Sequence, residues 1–327
     1  MLIFSSRTLE KEGFPAVRII RYVPLNVSLG AVMASVILTC TAQAQSANSL
    51  ASGGNSLIVS TSWLASHLRD PLVVVLDAAE FEMGEDKDYS GGHIPGARLL
   101  NSSDIDAQRD GLHLELPSVN AIRDEFEKLG ISDSTLVVVY ASTSPTASRV
   151  LFTLDYIGHR KFAFLDGGIA QWRAEGRSLT RDVPAFASGH ITPHPQPEIV
   201  ATADWIMAHG GHHGVALIDT RSDGEYLGTG NRHGIPSEGH IAGAHQLQWE
   251  QLFEPGNMKL KDRSALGKLY ADRVPPGDTV VTYCWVGYRA SMTYFIARYL
   301  GYPVKLYDGS YEDWRRRKLP VRAGSAP

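Results

Sequence analysis

The segment Cys284-Trp285-Val286-Gly287-Tyr288-Arg289 carries the chain's most pointed chemistry. It follows the β-branched run Thr279-Val280-Val281-Thr282-Tyr283. It precedes a helical pattern in which Met292, Phe295, Ile296 and Tyr299 fall at i, i+3, i+4 and i+7, one apolar stripe to bury. A cysteine at such a junction lies at the carboxyl end of a parallel strand, where open sheets bind their ligands. A tight loop there can direct successive N–H groups at one anion, and the helix N-terminus adds about half a positive charge. Both favour thiolate over thiol, and Arg289 pushes the same way. Gly287 permits a backbone conformation that side chains obstruct. The arrangement predicts a reactive Cys284 that solvent and alkylating reagents can reach, rather than a buried structural thiol.

The elements that must hold this loop are written twice. The strand-like run ending in an acid at residues 73–77 matches 215–219. Gly92-His93-Ile94-Pro95-Gly96-Ala97 matches Gly239-His240-Ile241-Ala242-Gly243-Ala244. Val138-Val139-Tyr140-Ala141 matches Val281-Thr282-Tyr283-Cys284, and Asp166-Gly167-Gly168 with Trp172 matches Asp308-Gly309-Ser310 with Trp314. Four blocks in one order at nearly constant spacing mean a duplicated domain. Short apolar runs at 73–76, 136–140 and 162–165 alternate with helical patterns at 119–129 and 147–157. The expected architecture is therefore α/β, with a parallel sheet flanked by helices on both faces in each unit.

Arg18 and Arg21 precede an apolar run at 27–38, and Ala42-Gln43-Ala44 follows. That is the pattern of an export signal cleaved near Ala44, which places the mature protein in a periplasm or outside the cell. The run is shorter than the roughly 20 residues that span a membrane, so no stable membrane span is expected. The chain has 327 residues, a net charge of −4 and two cysteines, Cys40 and Cys284. Cleavage leaves Cys284 alone in an oxidising compartment, with no internal disulfide to form. The composition excludes a disordered chain and a disulfide scaffold. The one basic cluster, at 315–318, does not make a nucleic-acid surface. The expected organisation is a signal at 1–44, linker at 45–56, first domain at 57–183, Pro-rich linker at 184–199, second domain at 200–322 and tail at 323–327.

On these paired motifs, with Asp219-Thr220-Arg221 and the loop 284–289, the chain resembles the tandem-domain rhodanese family of thiosulfate and 3-mercaptopyruvate sulfurtransferases over about residues 57–320. The resemblance implies two tandem rhodanese-like domains, a catalytic second domain whose cysteine carries sulfur as a persulfide, and an inactive first domain. Ala141 stands where the second domain has Cys284. The reaction it implies moves sulfur from a small donor such as thiosulfate to a thiophilic acceptor, cyanide or a thiol, in ping-pong fashion without a cofactor. Cys284 is the expected nucleophile. Arg289 and Arg221 are the expected donor-binding cations, and an Arg221–Glu225 ion pair at i+4 is the competing reading of the latter. The loop amides around Val286 and Gly287 cradle the anion, while Trp285 and Tyr288 form an aromatic rim or pack on the first domain.

The charge retained at Arg289 favours thiosulfate over mercaptopyruvate, which is the alternative donor. A non-catalytic sulfur carrier or binding module is the alternative from another class. Phosphatases of related fold space their Cys and Arg one residue wider, so the four residues between Cys284 and Arg289 suit sulfur better than phosphate. His209, His212 and His213 lie in a Gly-rich segment without a carboxylate or thiol partner, and no metal site is expected there. His93 and His240 occur in both units, including the one lacking the nucleophile. They are therefore read as structural, as are Asp77, Asp219, Asp166 and Asp308.

Overall fold

The computed structural model describes residues 57–79, 86–232 and 234–327. The expected export signal, Cys40 and the linker at 45–56 lie outside the described residues. No helix among the described residues is long and apolar enough to cross a membrane.

The first domain runs β1 (Ile58–Val59), α1 (Thr61–His67), β2 (Val73–Ala79), α2 (Asp86–Gly91) and β3 (Arg98–Asn101). A hairpin of β4 (Ala107–Arg109) and β5 (Leu112–Glu115) follows, then α3 (Val119–Lys128). The domain closes with β6 (Leu136–Ala141), α4 (Ser144–Tyr156), β7 (Phe162–Leu165) and α5 (Gly168–Ala174). The second domain begins β8 (Val200–Ala201), α6 (Ala203–His209), β9 (Val215–Asp219) and α7 (Asp223–Leu227). Short strands follow: β10 (Asn231–Arg232), β11 (Ile235–Pro236), β12 (His240–Ile241) and β13 (Ala244–Gln246). It ends with α8 (Arg263–Ala271), β14 (Thr279–Tyr283), α9 (Tyr288–Leu300), β15 (Val304–Tyr307), α10 (Ser310–Arg316) and β16 (Val321–Arg322).

The duplication read from the sequence is a duplication of topology. The first sheet has the order β1-β7-β6-β2-β3 and the second β8-β15-β14-β9-β13, read in the same direction. All neighbours in both are parallel, with Val75 opposite Val138 and Leu217 opposite Val281. Ladders buried on both faces account for the runs of Val, Ile and Leu without alternation.

The predicted apolar stripe on α9 is an underestimate. Every residue of that helix from Ala290 to Ala297 is buried, not one face alone. The cause is α4, which is buried over nearly its whole length and packs against α9 from the other domain. Phe152 meets Tyr294 edge-on at 4.9 Å, and the Tyr294 hydroxyl donates to Asp155 at 2.7 Å. One hydrophobic core therefore runs through both domains. The Pro-rich linker lies as a strap along the first domain: Gly189, His194 and Gln196 donate their N–H groups to the carbonyls of Glu127, Ile157 and Tyr156.

Candidate active site

Cys284 follows directly on β14, and α9 begins four residues later at Tyr288, one turn before the apolar stripe that starts at Met292. Gly287 caps the helix with φ +89°, a conformation that costs other residues about 1–2 kcal/mol. Space is short there as well. A Cβ at 287 would sit 3.2 Å from the Asp308 carbonyl oxygen and 3.4 Å from Arg149 Nη1. That turn aims the Gly287 N–H at Cys284 Sγ, 3.1 Å away.

The rest of the loop is held from behind. The carbonyls of Cys284 and Trp285 accept the N–H groups of Tyr311 and Glu312, both at 3.0 Å. The Cys284 N–H donates to Ser310 Oγ at 3.3 Å, and that hydroxyl donates to Tyr307. In a trans peptide the N–H points opposite to the carbonyl, so the amides of Trp285 and Val286 face away from α10. Neither finds an acceptor among the described residues. The loop thus offers unspent donors beside a sulfur atom at the positive end of a 13-residue helix.

Arg289 lies on the first turn of α9 and forms a two-pronged ion pair with Glu225, at 2.7 and 2.8 Å. Burial opposes its charge, but Glu225 and the nearby Cys284 sulfur together hold its pKa above the usual value. Burial likewise opposes ionisation of Glu225, yet Arg289 and the Ser222 hydrogen bonds bring its pKa down to about 2. Glu225 is therefore the partner of Arg289 and not of Arg221.

Arg221 is fully buried at the end of β9. It donates through Nε and Nη2 to Asp219, at 2.6 Å for the shortest bond, and to the Gly239 carbonyl at 2.7 Å. Its carbon centre lies 3.8 Å over the Tyr311 ring, and Nη1 has no hydrogen-bond partner among the described residues. A local pair with Asp219 wins over the i+4 pair because Tyr283 and the backbone of Arg221 itself already fix that carboxylate.

Two expectations need correction. The Cys284 side chain is 1% exposed, enclosed rather than open to solvent. The Trp285 ring is turned into the second domain's core against Tyr311, so it forms neither a rim nor a contact surface for the first domain. Tyr288 does reach the first domain: its hydroxyl donates to Asp106. Val286 stays half-buried beside the same core.

Sequence reasoning missed Asp106, Arg149, Thr220 and Ser310. Thr220, whose buried hydroxyl has no partner among the described residues, and Ser310 sit inside motifs already noted, so their place could have been read there. Asp106 and Arg149 belong to the domain without the nucleophile and carried no such signal. The duplicated histidines are structural. Nδ1 of His93 and of His240 each lie 2.9 Å from the carbonyls of Tyr89 and Tyr226, on which their rings stack.

Around Ala141 the matching loop borders only a small space. A cavity of about 30 Å³ remains there, lined by Ala141, Ser142, Ser144 and Gly168 and bounded by Met258 of the second domain.

Two such halves, one with a cysteine loop and one without, make a tandem rhodanese. A model of the rhodanese-like domain matches residues 60–175 and again 202–317, and the chain belongs to that family. It is 30% identical over 260 residues to a thiosulfate sulfurtransferase of Azotobacter vinelandii, covering 79% of this chain and 93% of the relative. It is 34% identical over 283 residues to the sulfur carrier protein TtuD of Thermus thermophilus, with the same coverage. Its fold matches the crystal structure of SseA from Escherichia coli, presented for 3-mercaptopyruvate sulfotransferases, with a TM-score of 0.69 at 24% identity, over 78% of this chain and 98% of that one. The protein is a sulfurtransferase built from two rhodanese-like domains.

Proposed function

We propose that the protein transfers the outer sulfur of thiosulfate to a thiophilic acceptor through a persulfide on Cys284. The Cys284 thiolate attacks that sulfur, the S–S bond of the donor breaks, and sulfite departs with its electron pair. The resulting Cys284–S–S⁻ gives its terminal sulfur to cyanide or a thiolate, which regenerates the Cys284 thiolate. Electrons and charge balance in each half without a redox partner. The observation that carries the reading is the Gly287 N–H on Cys284 Sγ at the head of α9, beside the unspent amides of Trp285 and Val286. Such donors stabilise an anion most where water is excluded, and the enclosure of Cys284 meets that condition. It also favours a slim reactant, such as the terminal sulfur of thiosulfate, over a bulky one.

Arg289 remains charged beside the sulfur with its guanidinium shared by Glu225, and Arg221 Nη1 is a further donor for the sulfonate oxygens. An arginine retained in the loop supports thiosulfate over 3-mercaptopyruvate as donor. The similarity to a named sulfur carrier supports a second reading, in which Cys284 holds sulfur for a protein acceptor with little turnover on small molecules.

One comparison tests all three. Rates with thiosulfate and with mercaptopyruvate are measured side by side with cyanide as acceptor, and intact mass is recorded before and after donor. Faster turnover with thiosulfate and a gain of one sulfur atom are expected. Faster turnover with mercaptopyruvate reverses the assignment, and a mass gain without turnover favours the carrier. The residue pattern at 18–44 supports export as part of this proposal. N-terminal sequencing of the protein from its native cells should give a start near Gln45, and a start upstream of the apolar run rejects it.

A further inference from the structure

Arg149 belongs to the domain without a nucleophile, yet its side chain is fully buried against the loop that carries Cys284. Nη1 donates to Asp308 Oδ1 at 2.6 Å and Nη2 to the Leu114 carbonyl at 2.7 Å, while Nε lies 3.5 Å from Asp106. The other Asp308 oxygen accepts the Leu116 N–H at 2.7 Å. Asp308 and Arg149 are the atoms a side chain at Gly287 would meet. Asp106 takes the hydroxyl of Tyr288, whose ring centre is 5.5 Å from the Arg149 guanidinium. One cation thus ties together Asp106, Asp308 and the turn at Gly287 and Tyr288.

The other half of the molecule supplies a built-in control. There the Leu260 N–H donates to Asp166 at 2.8 Å, the counterpart of Leu116 on Asp308. The crossing aspartate is therefore present at both loops. At the spacing that relates Ala141 to Cys284, the residue matching Arg149 is Met292, a core residue with no charge to offer. The guanidinium occurs only where it faces the cysteine.

We infer that Arg149 is a positioning residue for sulfur transfer, reaching from the nucleophile-free domain to hold the Cys284 loop with its amides already turned to the sulfur. The inference rests on the persulfide reading above. Its pair with Asp308 is buried, and removing one partner alone strands a charge. The test therefore uses the double variant Arg149→Met/Asp308→Asn, in which the amide oxygen of the new side chain still accepts the Leu116 N–H. Arg149→Lys serves as the conservative variant. Melting temperature, single-turnover persulfide formation from thiosulfate, kcat and KM are measured for each.

The double variant should stay folded, melting below the wild type because Asp106 and the Leu114 carbonyl lose their partner, but form persulfide about tenfold more slowly. Its kcat should fall in step and its KM stay within about twofold, because the groups that bind the donor are untouched. Arg149→Lys should recover most of the rate, remaining about threefold slow. Wild-type rates in the folded double variant overturn the inference, as do wild-type rates in Arg149→Lys where the double variant does not fold. If the wild-type protein takes up no sulfur at all, the persulfide reading fails instead, before any variant is compared.

Discussion

At the scale of single residues, the site depends on Gly287 more than its lack of chemistry suggests. Its N–H donates to the sulfur, and its φ of +89° sets the direction of that N–H. Gly287→Ala combines a strained backbone with a Cβ placed 3.2 Å from the Asp308 carbonyl oxygen, so the turn and that carbonyl are pushed apart. A loss of about 1–2 kcal/mol in stability is expected from the conformation alone. Persulfide formation should fall by at least about tenfold, since a donor to the sulfur anion moves away. A folded variant with wild-type single-turnover rates would show that the cradle tolerates another geometry. Glu225 acts differently. Its pKa, lowered to about 2, contributes stability that is present above the ordinary carboxylate value near 4.5 and is lost only as pH falls towards 2. The Arg289 pair therefore stays intact across the working range of an ordinary enzyme.

At the scale of elements, the strands and the cysteine loop were legible because their signals are local. The run 162–165 is β7 as predicted, and 136–140 extends by only one residue. The pattern at 119–129 starts where α3 does, but the start of α4 was read late. The pattern at 147–157 gave no reason to include Ser144 and Pro145, yet a proline suits a first helical turn, and α4 begins there. The burial of α9 on all sides was not readable, because α4 of the other domain packs against it. Cys284 was misjudged for the same reason. A loop at a strand end looks open in one domain, but here the loop is also held from the other domain, by Asp106 on Tyr288 and by Arg149 beside Gly287. Contacts between residues so distant along the chain leave no periodicity to find. Trp285 shows the converse error: an aromatic residue in a site loop invites a binding role, while the ring here fills its own domain's core.

At the scale of the whole molecule, the shared core implies that the halves are thermodynamically linked, and Glu115 is a probe of that link. It lies in the first domain's hairpin and is 8% exposed. It lines a cavity of about 720 Å³ together with Asp308 and Asp313 of the second domain. Burial first, and then the charge of Asp308, push its pKa up to about 8 from 4.5, with Arg149 and Arg109 pulling the other way. The sign follows directly. Below about pH 4.5 the carboxyl is protonated in both folded and unfolded chains and costs nothing. Between 4.5 and 8 the unfolded chain ionises while the folded one resists, so stability falls as pH rises, by a few kcal/mol at most. Glu115→Gln keeps the shape and removes the charge. The variant should match the wild type in thermal melts near pH 4.5 and exceed it by several degrees at pH 8.5. The comparison is made as a difference between the two proteins, so other titrating groups cancel. A gap that does not widen with pH would mean that the folded protein ionises Glu115 freely and that the hairpin docks on the second domain without this penalty. A widening gap with a single melting transition would place the cost in the joined molecule, where the carboxylates of two domains meet.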